Sequence, residues 1–257
     1  MSVPVPLTVA VAQPACVPRD VAADSAAHAE AVRRSGARLV VFPELSLTGY
    51  DLAAEAVSPD DSRLSPLVAA CREAGATALA GAPVRAADGR EHLATLAVTG
   101  RGARCVYAKT WLHGAESGRF TPGEKPQVLV VDGHRLGLAV CYDAAVPQHA
   151  ADTAALGIDA YVASALHGPG PEQAARRDGH MGQVARTHGV WAVLATSAGP
   201  SGTYDRTSGG SGIRAPDGTA VVQAGARGRC RGVRGRGRHP ALVLRGRKPV
   251  QIASPQG

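Results

Sequence analysis

Three side chains of different chemistry each close a short apolar run. Glu44 ends Val41-Phe42-Pro43-Glu44, Lys109 follows Val106-Tyr107-Ala108, and Cys141 follows Gly137-Leu138-Ala139-Val140; Glu116 comes seven residues after Lys109. A thiol, a carboxylate and an ammonium at strand ends are the parts of a nucleophilic catalyst. A free thiol is only slightly ionised at neutral pH, so a base must take its proton before it attacks a carbonyl or nitrile carbon. Glu44 can be that base if burial raises its pKa. The negative charge developing on the substrate oxygen or nitrogen can be met by Lys109 and by the backbone N–H of Tyr142, and one such donor is commonly worth about 3–4 kcal/mol. Glu44 then returns its proton to the departing ammonia or amine and activates the water that hydrolyses the thioester. Glu116 would hold Lys109 and the leaving group in place.

Other chemistries find no support. The nine histidines show no metal-ligand spacing, the five cysteines form no Cys-x-x-Cys pair, and no Gly-x-Gly-x-x-Gly stands at a strand–helix junction. The loop Gly118–Lys125 is not a phosphate-binding loop, because Gly123 is followed by Glu124 rather than Lys. Neither a metal nor a cofactor is expected. Scattered cysteines fit a reducing cytoplasm better than a disulfide framework, and no membrane span or signal peptide is read in the chain. Cys16, Cys71 and Cys105 read as buried packing residues.

These groups need a scaffold that ends several strands at one place. Apolar β-branched runs at 7–12, 39–42, 77–82, 93–98, 105–108, 128–131, 135–140, 160–165, 191–196, 212–214 and 219–223 read as strands. Ala-rich amphipathic runs at 20–35, 64–74, 148–156 and 172–188 read as helices, the first capped by Asp20 and closed by Gly36, the second closed by Gly75. Strands alternating with helices, together with turn signals at Thr99-Gly100-Arg101-Gly102 and Asp132-Gly133-His134, predict an α/β fold with mixed sheets. The core must be aliphatic, since aromatic residues make up only 4% of the chain.

The motifs around these residues resemble those of the carbon–nitrogen hydrolase family, also called the nitrilase superfamily. They are Phe42-Pro43-Glu44 with Gly49-Tyr50, Lys109-Thr110-x-Leu112 with Glu116 and Phe120-x-x-Gly123, Cys141-Tyr142-Asp143 with Pro147, and Gly209-Gly210-Ser211-Gly212-Ile213 before Pro216-x-Gly218. The resemblance runs from residue 5 to about 224. It implies a four-layer αββα sandwich and a Glu44–Lys109–Cys141 triad assisted by Glu116. It also implies self-association, with helix 172–188 as a contact surface. Cys-Tyr-Asp is more like the amidase branches than the nitrile-cleaving ones, so a small linear amide is the expected substrate. Nitrile hydrolysis and a catalytically silent scaffold of the same fold are the alternatives. Tyr50, His113 and Ser164-Ala165-Leu166-His167 are the expected substrate-contacting residues. Where the family usually has Glu after Pro147, this chain has Gln148.

The net charge of +7 is unevenly placed. Nine of the 28 Lys and Arg lie from Arg227 onward with no acid among them, leaving 19 bases against 21 acids in residues 1–226. Residues 1–226 are therefore expected to form the hydrolase domain. Residues 227–257 are expected to form a disordered Arg/Gly-rich tail that attracts nucleic acid only nonspecifically. Within that tail, Ala241–Leu244 and Val250–Ala253 are short apolar runs where the family has further strands.

Overall fold

The computed structural model describes residues 6–225, together with the backbone of two short strands at Cys230–Arg231 and Ala241–Leu244. The strands are β1 (Leu7–Val11), β2 (Leu39–Val41), β3 (Thr77–Arg85), β4 (Glu91–Thr99), β5 (Gly102–Ala108), β6 (Val128–Val131), β7 (His134–Val140), β8 (Ala160–Ala165), β9 (Trp191–Thr196), β10 (Gly212–Arg214), β11 (Ala220–Ala224), β12 (Cys230–Arg231) and β13 (Ala241–Leu244). The helices are α1 (Val21–Ser35), α2 (Ser65–Ala74), α3 (Pro147–Ala155) and α4 (Pro171–His188). One sheet runs β13-β1-β2-β3-β4-β5, the other β12-β11-β10-β9-β8-β7-β6. Parallel pairs β1–β2–β3 and β7–β8–β9 form the centres, with antiparallel hairpins outside them.

Continuous apolar strands become intelligible once both faces are seen to be covered. Leu7, Val9 and Val11 of β1, Leu39 and Val41 of β2, Leu136, Leu138 and Val140 of β7, and Trp191, Val193 and Ala195 of β9 meet in one core between the sheets. The alternate residues Ala10, Val40, Ala78 and Ala80 face α1 and α2, and Ala139, Tyr161, Ala163 and Ala165 face α3 and α4. A period of two along each strand thus sorts side chains into two cores and gives the four layers αββα. Helix ends follow their caps. Asp20 accepts a hydrogen bond from Ala23 N–H, Gly36 and Gly75 adopt left-handed φ of 60° and 59°, and Pro147 and Pro171 open α3 and α4.

Three expectations need correcting. Cys16 is only half-buried, in the loop before α1, and Cys105 is exposed, not buried. A one-residue irregularity pairs Thr95 with Tyr107 but Leu96 with Cys105, which sends Tyr107 inward and leaves Cys105 on the other face of an edge strand. The segment 227–257 is also not wholly apart from the sandwich. β12 pairs with β11, and β13 lies antiparallel on β1, with Leu7 opposite Leu244 and Ala10 opposite Ala241. An apolar run answers an otherwise open edge of β1. Val250–Ala253 lies outside the described residues, and no helix among those described is long and apolar enough to cross a membrane.

Truncation after Ala226 removes β13 and uncovers the β1 edge. The melting temperature should fall by more than about 5 °C, which corresponds to roughly 1–2 kcal/mol for a chain of this size. An unchanged melting temperature would show that the β13 pairing contributes nothing.

Candidate active site

Glu44, Lys109 and Cys141 leave β2, β5 and β7 and converge between the two sheets. The Glu44 loop is pressed onto β3. Phe42 N–H donates to Leu79 O, Leu47 N–H to Gly81 O, and Gly81 N–H to Ser46 Oγ. Leu45, fully buried, takes a left-handed φ of 49° to make the turn. The close crossing requires glycine at 81, because a Cβ there would run into the Leu45 nitrogen and the Pro43 carbonyl oxygen. Gly123 serves Lys109 in the same way. Its N–H donates to Lys109 O at 2.8 Å, and a side chain would strike the Ala108 carbonyl.

Lys109 and Glu44 are 1% and 0% exposed, and Glu116 is buried beside them. Lys109 Nζ donates to Glu44 Oε1 at 2.8 Å and to Glu116 Oε1 at 2.7 Å. Glu116 sits in a 3₁₀ turn over Gly114–Gly118, where its Oε1 also accepts from Tyr50 Oη at 2.6 Å and its Oε2 from His113 N–H at 2.8 Å. Glu44 Oε2 has no hydrogen-bond partner among the described residues.

Electrostatics follow from two carboxylates sharing one ammonium out of water. Burial pushes Glu44 up to about 7, with Lys109 pulling it down and Glu116 pushing it up again. Burial opposes the charge on Lys109, but Glu44, Cys141 and Glu116 outweigh it and hold the pKa above the usual lysine value. Burial and the Glu44 charge raise the Cys141 thiol well above its ordinary value, against the pull of Lys109. The resting site therefore keeps its proton on sulfur and its positive charge on Lys109.

Cys141 opens a 3₁₀ turn over Cys141–Ala145 with a left-handed φ of 46°. For a residue with a Cβ this conformation costs roughly 1–2 kcal/mol. It throws the thiol off the strand end, where Sγ lies 3.4 Å from Leu166 O. Tyr142 is the next residue, and the first N–H groups of such a turn have no partner within it. Its ring is exposed and lies 4.7 Å from that of His113.

The remaining predicted residues divide by their surroundings. Ser164 pairs with Val140 on the strand next to Cys141 and has the parity of Ala160 and Val162, which face the other sheet. Ala165 turns the opposite way into the core under α3 and α4. Leu166 offers its backbone carbonyl to the thiol, and burial lowers His167 to about 4, keeping it neutral. The Tyr50 hydroxyl is committed to Glu116, while its ring meets Tyr204 edge-on at 5.5 Å. Gln148 lies exposed on α3 and donates to Asp152 at 2.7 Å. Gly81, and Tyr107 and His149 that back Asp143, escaped the sequence reading, while Gly123, Thr110 and Asp143 appeared there as motif residues without a role. A glycine inside an apolar strand is the signal that could have found Gly81. Among the described residues, no group of three His, Cys, Asp or Glu gathers as metal ligands would.

The sequence pattern of carbon-nitrogen hydrolases matches residues 8–229. The chain belongs to the carbon–nitrogen hydrolase family. A hydrolase of Mycobacterium tuberculosis is 34% identical over 215 residues, which cover 74% of this chain and 75% of that one. A hydrolase of Pseudomonas protegens is 35% identical over 163 residues, covering 59% of this chain and 57% of the relative. Among solved structures, an amidase from Nesterenkonia sp. AN1 superposes with a TM-score of 0.77 at 25% identity, over 93% of this chain and 90% of that one. That structure is a Cys-to-Ala variant in complex with butyramide, and another variant of the same amidase carries the acetamide moiety of fluoroacetamide on its active-site cysteine. The four-layer sandwich is thus the fold shared by this family.

Gly81→Ala should force the Glu44 loop away from β3. We expect a melting temperature lower by several degrees and amide hydrolysis reduced at least about 10-fold, since displacements of about 1 Å can cost 100-fold. Wild-type rates in this variant would show that the crossing does not position Glu44.

Proposed function

We propose that this protein hydrolyses the carbon–nitrogen bond of a small linear amide through a thioester on Cys141. The observation that carries this reading is the buried Lys109 ammonium held between Glu44 and Glu116 beside a strand-end cysteine. The amidase from Nesterenkonia, whose variants hold butyramide and an acetamide moiety, supports an aliphatic amide as the substrate class.

The steps follow from the charges. As the substrate carbonyl approaches, Glu44 takes the thiol proton and Sγ attacks the carbon. Charge moves onto the carbonyl oxygen, where Lys109 and the Tyr142 N–H are the donors. Glu44 passes the proton to the amide nitrogen, the C–N bond breaks and ammonia leaves. A water molecule then loses its proton to Glu44 and attacks the thioester, releasing the carboxylic acid and returning the proton to sulfur. Glu116 fixes Lys109 throughout, and Tyr50 and His113 fix Glu116. Because the base has a pKa near neutrality, it is ionised at physiological pH yet basic enough to accept a proton.

Ammonia release from a panel of short aliphatic amides and nitriles tests the reading. Amides should turn over, and Cys141→Ala and Glu44→Gln should each lose at least about 100-fold. No turnover of any amide, or turnover surviving in Cys141→Ala, overturns it.

The pH profile is a second test. Protonation of Glu44 below about 7 removes the base, so kcat/KM should fall about tenfold per pH unit on that side. A profile flat down to pH about 5, near the ordinary glutamate range, would remove Glu44 from the role of base.

A further inference from the structure

A second polar network, not used by the chemistry above, joins the nucleophile's turn to the segment that carries the ammonium. Its centre is Asp143, 0% exposed. The four acceptor directions of its carboxylate all face donors. Oδ1 accepts from Trp111 N–H at 2.8 Å and Thr110 Oγ1 at 3.0 Å, and Oδ2 accepts from Val140 N–H at 2.8 Å and Tyr107 Oη at 2.7 Å. Val140 and Asp143 bracket Cys141 and Tyr142 in sequence, while Thr110 and Trp111 directly follow Lys109. One carboxylate therefore ties the end of β7, in one sheet, to the end of β5, in the other.

The network continues behind Asp143 in one direction only. Tyr107 Oη also lies 2.9 Å from His149 Nε2, and His149 Nδ1 lies 2.8 Å from Tyr161 Oη. The single proton of Tyr107 goes to Asp143, so its oxygen must accept from His149 Nε2–H. Burial lowers the His149 pKa and favours the neutral imidazole, in which Nδ1 is bare and accepts from the Tyr161 hydroxyl. Each donor in the line points toward Asp143, a polarity that strengthens the last bond of the chain.

We infer that Asp143, backed by Tyr107 and His149, is a positioning residue that holds Cys141 in its left-handed conformation and at a fixed distance from Lys109. The inference rests on the thioester reading for its kinetic arm but not for its chemical arm. Replacement by Asn leaves the volume unchanged and offers one acceptor oxygen in place of two. The amide NH₂ then faces either the Val140–Tyr107 pair or the Thr110–Trp111 pair, and one of the two tethers is lost.

The test compares Asp143→Asn, Tyr107→Phe and wild type in the full-length chain. It reads kcat and KM for amide hydrolysis, the melting temperature, and the rate of iodoacetamide alkylation at each cysteine by peptide mass spectrometry at one fixed pH. In Asp143→Asn, kcat should fall about 100-fold with KM within about threefold, as for a displaced reacting group. Alkylation of Cys141 should slow at least about tenfold as the thiol moves away from Glu44, the base that takes its proton as it attacks. Exposed Cys105 should label at the wild-type rate in every variant. Tyr107→Phe should show the same pattern at about 10-fold in kcat, and it carries the test if Asp143→Asn does not fold. A lower melting temperature with unchanged kcat and unchanged Cys141 alkylation would mean that the network only stabilises the fold, and would overturn the inference. If no amide is turned over by wild type, the alkylation rates alone decide the positioning role, so failure of the activity and failure of the inference remain distinct.

Discussion

An ammonium ion buried between two β-sheets must be enclosed by acceptors. Lys109 has two, Glu44 and Glu116, each within 2.8 Å. Neither carboxylate could stand in that place without the ammonium, and removing the ammonium would leave two buried carboxylates uncompensated. Burial is what lifts Glu44 to about 7 and the Cys141 thiol above its ordinary value; Glu116 adds to the first and Glu44 to the second, against the pull of Lys109. In the proposed mechanism the thiol is thus stored in neutral form beside Glu44, which accepts its proton, and a thiolate need form only when a carbon is in place to receive the electron pair.

The fold serves this arrangement by bringing strand ends together from both sheets. Glu44 and Lys109 belong to one sheet and Cys141 to the other, so their separation is set by how the sheets stack. That stacking is fixed by a core of Leu, Val and Ala, with Tyr107, Phe120 and Trp191 as its large aromatic members. Alanines on the outward faces let α1 to α4 lie close to the sheets, which explains how a chain so poor in aromatics fills four layers. Of the four non-glycine residues with a left-handed φ among those described, two, Leu45 and Cys141, lie next to or at a proposed reacting group. Strain of this kind persists only where surrounding bonds over-determine it, and the hydrogen bonds around Gly81 and Asp143 supply that constraint.

The amino-acid sequence made Glu44, Lys109 and Cys141, which the structure gathers at the candidate site, legible because each follows an apolar run with a polar group, a local signal. Three helix ends were legible for the same reason, through Asp20, Gly36 and Gly75, whereas Pro147 and Pro171, which open α3 and α4, went unread as start signals. What stayed hidden depends on contacts distant in sequence. Gly81 matters only because Leu45 crosses it, and Asp143 only because Tyr107, Thr110 and Trp111 arrive from another sheet. Cys105 was misplaced because one irregular residue in β5 reverses the alternation, an event without a sequence signature there. The strand parity that separates Ser164 from Ala165 could have been read in advance, since Tyr161, Ala163 and Ala165 form the small-residue face that a helix covers. The run Ala241–Leu244 was visible inside the basic segment, but four apolar residues are too short a signal to place a strand until the open edge of β1 is seen.

The account stands on acyl transfer to one sulfur. Rapid acid quenching of wild-type enzyme during turnover of a short aliphatic amide, followed by peptide mapping, measures this directly. The account predicts a mass increase equal to the acyl group on the peptide containing Cys141, released by hydroxylamine and present on no other cysteine. Steady ammonia production with Cys141 unmodified at every quench time, or with the acyl group on a different residue, would contradict it.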